Sequence, residues 1–185
     1  ASEDYDSAYA LLEESGNRDA IIQNKYDRAM KLIDLGNYDG AYMLLKGLSY
    51  KDSEEKLLSI IKSEYERIMM ADVGDKVLFG SYEQDKDFAN GKEDVEWVVL
   101  AKEDNRILLI SDKALDYKPY NKSSDDITWE NCSLREWLNS TFLDNAFKAM
   151  EQALIQSATV SADRYSHNAY PGNATIDKVF LLSIT

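Results

Sequence analysis

With 185 residues and 44% apolar content, the chain is long enough for one ordinary domain or two small ones, and too apolar to be disordered. A net charge of −13 and a pI near 4.5 make phosphate backbones and anionic membranes poor partners, so no nucleic acid is expected as a ligand. No apolar run reaches the roughly 18 residues that span a bilayer, and the single cysteine, Cys132, forbids an internal disulfide.

The chain opens at Ala1-Ser2 in helical-looking sequence without a signal peptide, as a mature or excised fragment would. Tyr5-Asp-Ser-Ala-Tyr-Ala-Leu-Leu12 recurs as Tyr38-Asp-Gly-Ala-Tyr-Met-Leu-Leu45, a spacing of 33 residues that signals stacked helical pairs. Ile22, Tyr26, Ala29, Met30 and Ile33 mark the inward stripe of a helix over 21–35, which Gly36-Asn37 breaks. A second helix follows over 38–48, with Ala41, Leu44, Leu45 and Leu48 inward. Asp52-Ser53 then opens a third, with Glu54 and Glu55 in its acid-favoured first turn. Its buried side is expected to carry Leu57, Leu58, Ile60, Ile61, Tyr65, Ile68 and Met69.

Ala29, Leu32, Gly36, Tyr38, Ala41 and Leu45 follow the small–aromatic–glycine–small pattern of one tetratricopeptide repeat, which residues 22–53 resemble. The resemblance covers one and a half repeats, where about three usually make a free-standing array. It implies a peptide receptor, a spacer or a dimerisation arm.

At Asp72-Val-Gly74-Asp75 the period becomes alternating, which places the domain boundary between 1–71 and 72–185. Residues 76–82, 96–101 and 106–111 read as an antiparallel meander, with a tight turn at 103–105 and a hairpin signal at Asn90-Gly91. Beyond it, Thr128–Phe147 holds two tryptophans and the cysteine. Ser133 and Glu136 have capping-box spacing, with Cys132 and Trp137 placed as a hydrophobic staple. A helix is expected near 148–154, a strand within 155–161, a polar aromatic loop over 163–175 and a last apolar strand over 177–184. The fold class is therefore α+β: helical hairpins, then an antiparallel-sheet domain.

Five blocks, GDKVLFGSYEQD, EWVVL, ILLISDKALDYKPYN, TWENCSLREWLNSTF and PGNATIDKVFLLSIT, resemble the bacterial domain family DUF6273 over about 74–185. The resemblance implies a partial C-type-lectin-like fold, the scaffold of formylglycine-generating-type proteins. It also implies placement after helical repeats and an extracellular or cell-surface setting, with the cytoplasm as the alternative. The family's later WWLRSPG-like block and VRPALWI-like strand do not occur here, as in a shortened member or a fragment. A shortened domain is expected to expose sheet edge or apolar surface, a route to a homodimer.

Aromatic residues in loops, Tyr117, Tyr120, Trp129, Tyr165 and Tyr170, with Asn121, Asn168 and Asn173, form a saccharide or peptide surface or plug the loop bases. The only histidine, His167, is a solvated loop residue or a titrating switch at that surface. Trp97 and Trp137 stand at core positions, Cys132 packs as a staple rather than serving as a nucleophile, and Arg135 pairs with an acid such as Asp125 or Asp126, with a charged anchor in a cleft as the alternative. Asp85, Asp87, Asn90, Glu93 and Asp94 carry the oxygen ligands of a calcium loop, but Ala89 occupies the position of the third ligand, so a polar hairpin is expected and no metal. Formylglycine-generating enzymes use paired cysteines, and one is present. The chain is expected to be a non-catalytic binding module with a protein or glycan partner and no cofactor. A hydrolase using paired carboxylates and a structural arm are the alternatives.

Overall fold

The computed structural model describes residues 11, 16–162 and 171–182. The chain forms two compact units that divide between Met70 and Ala71. Among the described residues no helix is long and apolar enough to cross a membrane.

The first unit contains α1 (Arg18–Asp34), α2 (Tyr38–Leu45) and α3 (Ser53–Met69), with α1 packed on α2 and α2 on α3. Asn17 and Asn37 cap the first two helices, their side chains accepting from the backbone N–H of Ala20 and Gly40. Ala29 and Ala41 have no exposed surface, the use expected of small residues where two helices approach closely. Leu58, expected inward, lies exposed on α3, while Ile60 and Ile68 are buried. The turn before α3 is tied by the Tyr26 hydroxyl, which donates to Asp52, and by Lys51, whose Nζ lies 4.8 Å over the Tyr26 ring and 4.9 Å over that of Tyr50. The bond to Asp52 pushes the Tyr26 phenol up to about 12.

The second unit mixes sheet and helix. Strands β1 (Lys76–Tyr82), β2 (Glu93–Glu103) and β3 (Arg106–Ser111) form an antiparallel sheet in the order β1-β2-β3. The alternating apolar residues explain it: Val77 and Phe79 on β1 and Val95 and Val99 on β2 are buried. A 3₁₀ turn (Trp129–Asn131), α4 (Ser133–Trp137), a π turn (Leu138–Phe142), α5 (Leu143–Ala146) and α6 (Ala149–Leu154) follow. Strands β4 (Ala158–Val160) and β5 (Thr175–Asp177) form a second, two-stranded antiparallel sheet.

The core joins the meander to the helices. Phe147 is its centre, with ring centroids 5.3 Å from Phe79, 6.1 Å from Trp97 and 6.1 Å from Phe142. Trp97 is only half-buried, and its indole N–H donates to the Phe79 carbonyl at 2.6 Å. Trp137 is also half-buried, its ring tilted by 47° against Phe142, with the ammonium group of Lys118 4.5 Å over it. Gly80 interrupts β1 with φ +75°, at the irregularity between Leu78 and Ser81, and its N–H donates to Glu151. Leu78, Leu100 and Ile110 keep exposed surface on the meander.

Two expected elements move. Cys132, not Ser133, precedes α4 as its cap, with Sγ accepting from the Arg135 N–H at 3.4 Å. Ser133 is diverted by the loop before it: its Oγ accepts from Lys122 N and its N–H donates to the Asn121 side chain. The last strand ends at Asp177, where the sequence pattern suggested that it begins. Asn139 takes over the backbone there, accepting from the N–H groups of Lys178 and Val179 and donating to the Val179 carbonyl.

Candidate functional site

Two groups of side chains in the second unit are built more tightly than packing alone requires. The first surrounds the Trp129 turn. Its centre is Asp177, whose side chain has no exposed surface. The carboxylate accepts from Arg135 Nε at 2.8 Å, Trp129 Nε1 at 3.0 Å and Thr175 Oγ1 at 2.6 Å. Burial pushes this carboxyl up, and the three donors, with the Arg135 charge, outweigh it and hold it below the usual aspartate value. Arg135 is thus paired with Asp177 and not with Asp125 or Asp126, 42 residues on rather than in the adjoining loop. Its Nη1 also donates to the Glu130 carbonyl at 3.0 Å.

The same turn is gripped at each end. The Glu130 carboxylate accepts from the Asn173 side chain and backbone N–H, bonds that hold it below the usual glutamate range. Gly172 adopts φ +88° against Thr128, and a Cβ there would lie 2.8 Å from Thr128 Oγ1. On the other side, the loop carrying Tyr117 and Tyr120 is pinned to α4 by Leu134 N, which donates to the Tyr120 carbonyl, and by the two bonds to Ser133. The Tyr120 ring lies 6.5 Å from that of Trp129, tilted by 40°. Burial and the neighbouring Cys132 sulfur push the Tyr120 phenol up to about 12.

Tyr120 remains 43% exposed and Tyr117, in the same loop, 95% exposed. Of the residues that the sequence suggests for a ligand surface, the structure therefore brings Tyr120 and Trp129 together. Tyr165, His167 and Tyr170 lie outside the described residues. Cys132 is buried at the start of α4, as a packing residue is.

The second group lies where β1 and β2 leave the sheet. Glu83, Asp85 and Glu93 bring one carboxylate oxygen each to within 4.8 Å of one another. Beside them is a cleft of about 330 Å³ lined by Gln84, Asp85, Glu93, Asp94, Lys113 and Ala114. The intervening loop is a polar hairpin, as expected: Asp85 accepts from Asp87 N and from the Asn90 side chain, and Asp87 accepts from Ala89 N. Those bonds hold the Asp85 carboxyl below its usual value. The oxygens are of the type that hard cations take; Asp85 and Glu93 already accept from the backbone N–H groups of Asp87 and Gln84, while Glu83 Oε1 is buried without a hydrogen-bond partner among the described residues.

Sequence reasoning singled out Asp85 and Glu93 as oxygen ligands but passed over Asp177 and the third acid of the cluster, Glu83. The signal for Asp177 was present: one acid inside the apolar segment Ile176–Leu182 needs a partner, and Arg135 lies beside Leu134 on α4.

No curated protein and no solved structure matches the chain. Just under half of it, residues 104–185, matches a family model described as Domain of unknown function (DUF6273), a segment that starts after β2 and takes in the Trp129 turn, α4 and β5.

Proposed function

We propose that the second unit is a non-catalytic recognition module, its face formed by Tyr117, Tyr120 and Trp129 and its partner a glycan or a peptide. The observation that carries this reading is the pairing of two loop aromatics, Tyr120 and Trp129, beside a third, Tyr117, that is almost wholly exposed. Tyrosine and tryptophan offer large contact area with few rotatable bonds, and their faces stack on the apolar sides of sugars. With it go a partial C-type-lectin-like fold and an extracellular or cell-surface setting, both proposed from the DUF6273 resemblance alone. The first unit fits a tetratricopeptide-like spacer or dimerisation arm, its buried Ala29 and Ala41 at the positions where that pattern needs small residues.

Calorimetric titration of the whole chain with chito- and cello-oligosaccharides tests the proposal. Saturable binding is expected. Tyr117→Ala and Tyr120→Ala are each expected to weaken it by about tenfold, the former, whose side chain is almost wholly exposed, with an unchanged melting temperature. These positions are better probes than Trp129, whose indole N–H also holds Asp177. No saturable binding, or binding indifferent to both substitutions, rejects a glycan face at these tyrosines.

A further inference from the structure

We infer that Asp177 is the positioning residue of the aromatic face: through Arg135 and the 172–177 segment it sets the orientation in which Trp129 is presented. Its meaning for recognition rests on the reading of that face given above. Every residue of the Trp129 turn's first half is held from this one segment. Thr128 is met by Gly172, Trp129 by Asp177 and Glu130 by Asn173. Arg135 closes the ring, bonded at once to the Asp177 carboxylate and to the Glu130 carbonyl.

A core aspartate that only filled space would be replaceable by an apolar residue, and its burial is costly without donors. Here the donors come from three separate places in the chain, and one of them is the indole that faces Tyr120. An indole fixed by a charge-assisted bond loses little freedom when a ligand stacks on it, which is how preorganisation raises affinity. The converse also holds by linkage: a ligand on Trp129 would tighten the seating of the 172–177 segment.

The test needs no ligand. In ¹⁵N-labelled whole protein, hydrogen exchange of the three indole N–H groups is followed separately, with Trp129 assigned by Trp129→Phe. Trp97 is the internal control, its N–H bonded to the Phe79 carbonyl away from Asp177. Asp177→Asn is expected to speed exchange at Trp129 by about tenfold and leave Trp97 unchanged. If that variant does not fold, Arg135→Lys, which keeps the charge but gives up the guanidinium fork, is expected to give the same selective change. No sugar is present, so a protein that binds no oligosaccharide can still show a positioned Trp129, and the two failures are separate results. Exchange at Trp129 that stays at the wild-type rate, or that rises together with Trp97 as general loosening would make it, overturns the assignment.

Discussion

Replacing Arg135 by methionine is expected to lower the stability of the second unit by about 3–5 kcal/mol, the cost of leaving a buried charge without its partner. Methionine restores most of the volume and none of the charge. Asp177 then keeps only the Trp129 and Thr175 donors while its side chain stays without exposed surface. All three tryptophans follow residue 70, so urea unfolding read by tryptophan fluorescence reports this unit alone.

Acid should narrow the gap. In the native protein the Asp177 carboxyl lies below its ordinary value, so its contribution is complete above about pH 3.9 and is lost as the pH falls through the folded-state value. In Arg135→Met the carboxyl loses the bond and the charge of Arg135, two of the causes that lower it, so it is expected to titrate higher and protonation to relieve the variant as the pH falls. A stability difference that stays constant from pH 7 to pH 4 would show that the charge is not what Arg135 supports.

Gly80→Ala is expected to cost about 3 kcal/mol, from a left-handed backbone that L side chains resist and from a core with no room. The added Cβ would stand 2.6 Å from the Ala146 carbonyl oxygen and 2.7 Å from two atoms of the Phe147 ring. The backbone oxygen cannot swing away, and Phe147 is wedged among Phe79, Trp97 and Phe142. The N–H of Gly80 is committed too, bonded to Glu151, whose other oxygen caps α6 through Lys148 N. Relief by shifting β1 would therefore disturb the helix start as well. An unfolding midpoint within error of the wild type would mean that β1 and the end of α5 are not held this closely.

What the sequence made legible was governed by local pattern. Lys76–Tyr82 and Arg106–Ser111 are short runs rich in apolar residues between turn residues, and both strands have the bounds that the pattern suggests. Ser53–Met69 announces itself by its acidic first turn. What was not legible depended on residues far away in the chain. The acids at Asp125 and Asp126 stand nearer to Arg135 in sequence, but only Asp177 is carried to it by the return of β5. Ser133 has every local mark of a helix cap, and a loop eleven residues earlier claims its hydroxyl. The aromatic pair lay within reach of sequence reasoning because Tyr120 and Trp129 are separated by only nine positions, and the intervening chain has to turn back.

The Asn139 side chain, which ends β5 by bonding Lys178 and Val179, begins the tripeptide Asn139-Ser-Thr. That tripeptide is an acceptor for N-linked glycan. In a host that glycosylates secreted chains, sugar transferred to this amide before folding would precede the return of the segment around 178. The modified nitrogen can no longer donate to both the Val179 and Arg135 carbonyls, and the bulk of the glycan would stand where the returning chain must lie. The choice of expression host therefore bears on whether this domain closes: a host without N-glycosylation leaves the Asn139 amide free to receive the 178–179 backbone.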